Sequence, residues 1–271
     1  MFDRELSVAL AAASDAAALV MRVYATDFAV QFKGRNDPVT EADRSANTAI
    51  TAALRSAFPD DGICAEEGTM DDAIAAARAG GRCWFVDPID GTREFVSRNG
   101  EFCVMVGLAI DGEARLGVVH APAWNRTLWG IVGDGAWERG VDGVERAVHV
   151  AEPPANTRDV RLLVSRSHLH ADVRTIADVL GVADMRPCGS VGLKVALVAT
   201  GEADLYVHAG RGPKLWDGCA PEAIARAAGA TVTDGTGAML RYATGELALD
   251  LGIIVAAPAL HERALRAFPH P

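Results

Sequence analysis

The segment WFVDPIDGTREF, from Trp84 to Phe95, constrains this chain more than any other. An apolar run of strand character ends in two carboxylates three positions apart, Asp87 and Asp90, with Pro88 between them and Gly91-Thr92 directly after. Like charges this close repel unless a cation sits between them. Pro88 fixes the backbone after Asp87, so the chain turns and both carboxylates can face one point, with the Ile89 carbonyl as a third oxygen. Gly91 permits close approach of a ligand to the backbone. Thr92 stands where a helix begins, and its free N–H groups suit a phosphate. Read alone, the same letters also describe a solvated Asp-Pro turn with an aspartate N-cap. The apolar strand ahead of them and other acidic segments elsewhere argue against that.

Those segments are DPVTEAD (Asp37 to Asp43), AEEGT (Ala65 to Thr69) and WDG (Trp216 to Gly218). Each sets carboxylates beside glycine, threonine or tryptophan. Oxygen ligands suit a hard divalent cation such as Mg²⁺, and the lack of a His/Cys cluster argues against zinc. Taken singly, Glu66 and Glu67 read as a surface turn, Asp43 as a helix-start charge and Asp217 as an N-cap. Their joint appearance is what points to a metal site.

A formal net charge of -10 excludes a broad basic face for polymeric nucleic acid. A small phosphorylated substrate stays open, because a pocket or a metal inverts the local field. The 271 residues, half of them hydrophobic, suit one large domain or two modest ones sharing a core. The 5 cysteines form no CxxC pair, which predicts reduced thiols in a cytoplasmic protein. Asp3, Glu5 and Asp15 spoil the alanine-rich N-terminus as a signal peptide, leaving an amphipathic or buried helix. No segment reads as long and apolar enough to span a membrane.

The first half reads as helix, helix, then strands. Thr40 is a candidate N-cap for a helix with an alanine stripe at 42, 46, 49, 53 and 57. FCVMVGLAI, ARLGVVHAP and RTLWGIVG, with turn signals between them, predict an antiparallel meander. The proline-bearing AEPPANTRDV divides the chain into 1–155 and 156–271. Beyond it, strand-like and helix-like pieces alternate, as expected of helices covering both faces of a sheet. The lysines, Lys33, Lys194 and Lys214, fall in glycine-rich or loop-like segments.

Together, DPVTEAD, EEG, WFVDPIDGT and WDGCAPEAIARAAGA resemble the lithium-sensitive, Mg²⁺-dependent phosphatase family of inositol monophosphatase, across nearly the whole chain. Within it, GTREFVSRNGEF, VSRSH and GSVGLK are most similar to the 3'(2'),5'-bisphosphate nucleotidases. The resemblance implies an α/β (α+β) fold, a layered αβαβα sandwich with the site between an N-terminal and a C-terminal half. It implies that Glu66, Asp87, the Ile89 carbonyl, Asp90 and Asp217 hold the Mg²⁺ ions, two or three of them. Gly91 and Thr92 would meet the scissile phosphate. Asp43 would hydrogen-bond Thr92, and that pair with Glu66 would activate the attacking water, with Glu67 behind. Ser165, His168, Ser190 and Lys194 would line the nucleotide site, and Glu66, Asp90 and Asp217 would also face the substrate.

The implied reaction converts adenosine 3',5'-bisphosphate and water to AMP and phosphate. The same chemistry on inositol monophosphate, histidinol phosphate or fructose 1,6-bisphosphate is the nearest rival, and a non-catalytic regulator is the rival of another class. Without the resemblance, His168 reads as a polar strand-end residue, Lys194 as a solvated helix charge and Arg166 as facing solvent. His208, Arg211 and Lys214, just ahead of Trp216, touch a second phosphate or decorate a loop. Gly218 stands where many relatives carry threonine.

Overall fold

The structure is a computed structural model describing residues 2–34, 37–79, 81–167 and 169–268 of the chain. Helix α1 (Asp3–Tyr24) carries a buried stripe of Ala9, Ala12, Ala13, Ala16, Ala17 and Val20. By length and hydropathy this helix suffices to cross a membrane, which corrects the sequence reading. Here the small-residue stripe packs instead on helix α2 (Glu41–Ala57) and the sheet beneath. A hairpin of β1 (Gln31–Gly34) and β2 (Asp37–Val39) separates the two helices; the sequence reading passed over it. Thr40 caps α2 as expected. Its hydroxyl accepts from the Ala42 N–H, and Asp43 at the third helical position returns a bond to the Thr40 N–H.

The chain then forms β3 (Gly62–Ala65), α3 (Met70–Ala79), β4 (Arg82–Asp90) and the short α4 (Thr92–Val96). β5 (Cys103–Ile110), β6 (Glu113–Ala121), β7 (Arg126–Ile131), β8 (Gly135–Arg139) and β9 (Glu145–Ala147) follow. Strands β3 to β9 make a seven-stranded sheet in chain order, parallel only at β3–β4. The expected meander is therefore present. Side chains alternate as a sheet buried on both faces requires. Trp84, Val86, Val104 and Val106 lie under α1 and α2, while Cys83, Phe85, Cys103 and Met105 face the other way.

The second half runs β10 (Arg161–Ser165), α5 (Ala171–Leu180), β11 (Asp184–Cys188), α6 (Val191–Ala199), β12 (Leu205–His208), α7 (Leu215–Ala227), β13 (Thr231–Thr233), β14 (Ile253–Ala256) and α8 (Pro258–Ala267). Its five-stranded sheet has the order β11-β10-β12-β14-β13, with β10 parallel to both its neighbours. Helices α6 and α7 lie between the two sheets, and α5 and α8 cover the outer face of the second. The layers are thus αβαβα. One core cluster mixes Phe85 and Met105 with Leu193, Ile224 and Val255, so the two halves share an interior.

A row of glycines decides how near α7 lies to the first sheet. Gly107, Gly117 and Gly130 are paired across β5, β6 and β7. A Cβ on Gly117 would stand 2.0 Å from the Ala220 oxygen, and one on Gly107 2.6 Å from the Ala220 nitrogen. Without side chains here, the helix backbone rests directly on the sheet. That contact carries the N-terminal turn of α7, with Asp217, to the end of β4.

Candidate active site

The site starts from an irregularity in β4. Asp87 pairs with Met105 and Asp90 with Cys103, with a register shift between them. Pro88 has no N–H to give the ladder, so the strand bulges there. Asp87 Oδ1 folds back to accept the Ile89 N–H at 2.9 Å. Gly91 follows at φ 94°, where a Cβ would meet the Glu101 oxygen at 2.8 Å, and α4 begins at Thr92.

Asp217 arrives from the other half. Taken singly Asp217 also reads as an N-cap; α7 in fact begins at Leu215, because Leu215 and Trp216 are buried as its first turn. Asp217 is the third helical residue and accepts the Lys214 N–H at 2.6 Å. One carboxylate oxygen from each of Asp87, Asp90 and Asp217 lies within 4.8 Å of the others. Asp90 Oδ2 also accepts from Ser190 Oγ at 2.5 Å and from the Gly192 N–H at 2.6 Å. Ser190 holds the unusual φ of 60° and caps α6 through Leu193 N at 3.0 Å. Its hydroxyl is bonded to Asp90 and to the helix while the residue also lines the cleft.

Glu66 follows β3, its N–H bonded to the Val86 oxygen at 3.1 Å. It lies outside the three-aspartate group and instead meets Lys33 Nζ at 2.8 Å, with Glu67 on the same ammonium at 2.5 Å. This Lys33 contact is a feature that sequence reasoning missed. The only signal for it was a lysine in a glycine-bearing stretch beside an acidic motif. Thr92 Oγ1 is 3.3 Å from Asp43 Oδ1 and 3.1 Å from the Ile89 carbonyl, which joins the α2 cap to the β4 turn.

These groups border a cleft of about 700 Å³ between the halves. Glu66, Asp90, Gly91, Thr92, Ser165, Ser190, Lys194 and Asp217 all line it, as do His208, Arg211 and Lys214. His168 and the side chain of Asp37 lie outside the described residues. Lys194 is buried, not solvated, and donates to the Cys188 and Ser190 carbonyls below the ring of Tyr206. Tyr206 Oη is buried with no protein partner among the described residues. Arg166 does not face solvent freely: it pairs with Glu101 at 2.6 Å.

Crowding the acids together has an electrostatic cost. Burial, then repulsion from Glu66, Asp90 and Asp217, pushes the Asp87 carboxyl well above its usual value. Burial and Asp90 push Asp217 up to about 8, and burial lifts Glu66 to about 7 against the pull of Lys33. Asp90 is raised as well, by burial against Lys194 and its hydrogen bonds. Burial lowers the Lys194 ammonium. Converging oxygen donors that resist joint ionisation fit a hard divalent cation, with Asp87, Asp90, Asp217, the Ile89 carbonyl and nearby Glu66 as the available ligands.

A profile described as the inositol monophosphatase family matches residues 2–270. The chain belongs to the inositol monophosphatase family. The 3'(2'),5'-bisphosphate nucleotidase CysQ of Escherichia coli O157:H7 is 38% identical over 247 residues, 90% of this chain and 96% of the relative. Among solved structures, CysQ from Bacteroides thetaiotaomicron, described as a bacterial member of the inositol monophosphatase family, superposes with a TM-score of 0.79 at 32% identity. The match covers 95% of this chain and 98% of that one. The extragenic suppressor protein suhB from Bartonella henselae superposes with a TM-score of 0.82 at 26% identity, covering 98% of each chain. The αβαβα layering is therefore that of inositol monophosphatase-family proteins.

Proposed function

We propose that this chain is a Mg²⁺-dependent phosphomonoesterase that removes the 3'-phosphate of adenosine 3',5'-bisphosphate, giving AMP and phosphate. The observation that carries this reading is the meeting of Asp87, Asp90 and Asp217, of which Asp90 and Asp217 line a cleft that Arg211 and Lys214 line as well. An acidic cluster suits cations at the scissile phosphate, and a basic rim suits the second one. Similarity to a 3'(2'),5'-bisphosphate nucleotidase over 90% of the chain supports the nucleotide over a sugar phosphate.

Phosphate monoesters hydrolyse so slowly in water that the catalyst must supply a very large barrier reduction. Glu66, Asp87, the Ile89 carbonyl, Asp90 and Asp217 would hold two or three Mg²⁺ ions, which when bound would supply charge neutralisation and lower the pKa of water. The remaining tasks fall to the chain itself. Gly91 and the first-turn N–H groups of α4, which no side chain caps, receive the phosphate oxygens. Thr92 Oγ1 accepts a proton from the attacking water and passes its own to Asp43. Burial raises the Asp43 carboxyl, opposed by its bonds from Thr40, and so favours proton uptake. Glu66 is the second acceptor beside that pair. Ser165, His168, Ser190 and Lys194 receive the nucleoside side, and Ser190 also holds Asp90 in place. Five free cysteines fit a cytoplasmic setting.

Phosphate release in the presence of Mg²⁺ tests this. Adenosine 3',5'-bisphosphate is expected to exceed inositol 1-phosphate in kcat/KM. The reverse order would place the chain with sugar-phosphate phosphatases of the same family.

A further inference from the structure

Two glutamates between β4 and β5 reach across the cleft to the half that supplies the nucleotide wall. Glu101 receives three donors from that half. Arg166 Nε meets its Oε2 at 2.7 Å, Arg166 Nη2 meets its Oε1 at 2.6 Å, and the Gly189 N–H meets Oε2 at 2.7 Å. The same guanidinium donates to the Pro187 carbonyl at 2.9 Å, so it clips the end of β10 to the end of β11. Glu94, buried beside Thr92, accepts Ser167 Oγ at 2.6 Å. The segments meet with no spare room. A Cβ on Gly189 would stand 2.3 Å from Glu94 Cγ and 2.9 Å from the Glu101 oxygen, which is also the atom that leaves no Cβ space at Gly91.

We propose that Glu101, with Glu94 beside it, is a positioning residue that sets substrate preference by fixing the nucleotide wall against the metal turn. This rests on the nucleotidase reading above. Glu101 touches neither the reacting atoms nor the metal ligands. Its carboxylate orders Gly189, and Gly189 precedes Ser190, whose strained φ of 60° aims its hydroxyl at Asp90 and its carbonyl at Lys194. A bidentate guanidinium pair specifies orientation as well as attraction, which a lone surface ion pair does not. Burial works against charge on Glu101, yet Arg166 and the Gly189 N–H hold its carboxyl below the usual value. The ion pair therefore persists at neutral pH, where the enzyme would work.

The test compares kcat and KM for adenosine 3',5'-bisphosphate and for p-nitrophenyl phosphate, which has a scissile phosphate but no nucleotide. Wild type, Glu101→Gln, Arg166→Gln and the double variant are measured, with thermal unfolding as a control on folding. Each single change is expected to raise KM for the bisphosphonucleotide about 10-fold, with kcat changed by less than about 3-fold, as loss of binding without loss of chemistry requires. The preference for the nucleotide falls by the same factor, and the double variant is no worse than either single one, because the pair acts as a unit. Equal losses on both substrates, or additive effects in the double variant, would overturn the proposal. A wild-type preference that survives in both single variants overturns this proposal alone. A wild type with no preference for the nucleotide overturns the nucleotidase reading and this proposal with it.

Discussion

On the acidic wall of the cleft each aspartate is tied to a backbone N–H, whereas the basic wall rides on a loop. Asp87 accepts from Ile89, Asp90 from Gly192, Asp217 from Lys214 and Asp43 from Thr40. By contrast, Arg211 sits between β12 and α7 with its side chain 87% exposed and an ion partner, Asp250, at 3.7 Å. The two walls meet different demands. Chemistry at phosphorus tolerates little error in position, and the carboxylates proposed as its metal ligands are built on a strand bulge and two helix starts. Recognising a remote anion, the role proposed for Arg211, needs mainly charge, which a solvated arginine can supply.

If that contrast is right, substitutions on the two walls differ by orders of magnitude. The largest effect is expected from Asp90→Asn, which keeps the shape and the bonds from Ser190 and Gly192 but removes a ligand charge. Its kcat should fall by about 10³-fold or more with the fold intact, measured by phosphate release and thermal unfolding. Retained turnover would break the comparison at its strong end and contradict the assignment of Asp90 as a metal ligand.

Next comes Gly117→Ala, remote from both walls. A Cβ 2.0 Å from the Ala220 oxygen must lift α7 off the sheet. Overpacking of this kind costs about 1–3 kcal/mol or more, read as a lower urea midpoint. Because α7 carries Asp217, activity of the folded fraction should drop too; full activity would show that the helix position does not set the acidic wall.

The smallest effect belongs to Arg211→Ala. Exposed ion pairs are worth about 0–1 kcal/mol, so KM for the bisphosphonucleotide should rise only a few-fold, and less at high salt. A loss comparable to that of Asp90→Asn would erase the distinction between the walls.

The acidic wall was largely legible in the sequence because its parts are local. DPIDGT holds two of the three clustered aspartates and a helix start in six letters, and Thr40 with Asp43 spells a capping box. What escaped the reading depends on long-range contact. Lys33 reaches Glu66 over 33 residues and Arg166 reaches Glu101 over 65, and neither neighbourhood names its partner. The hairpin β1–β2 has no apolar alternation to betray it, since all of β1 is exposed. The start of α7 was misplaced because a buried Leu215-Trp216 pair, not Asp217, makes its first turn. Gly107, Gly117 and Gly130 stood in plain view inside three apolar strands, yet only the docked helix explains them.

The central claim is that these carboxylates are held together for a divalent cation, and thermal unfolding against pH, with and without Mg²⁺, tests it most directly. Glu66 and Asp217 have folded values of about 7 and about 8, above those of an unfolded chain. The folded protein therefore binds more protons than the unfolded one. The stability this gives is complete below about pH 4 and is lost as pH rises through those folded values. Metal-free Tm should accordingly fall between about pH 5.5 and about pH 8.5, and Mg²⁺, which competes with those protons, should raise Tm far more at the higher pH. Asp217→Asn should abolish most of that rise. An equal Mg²⁺ effect at both pH values, or one that survives in Asp217→Asn, would contradict the account.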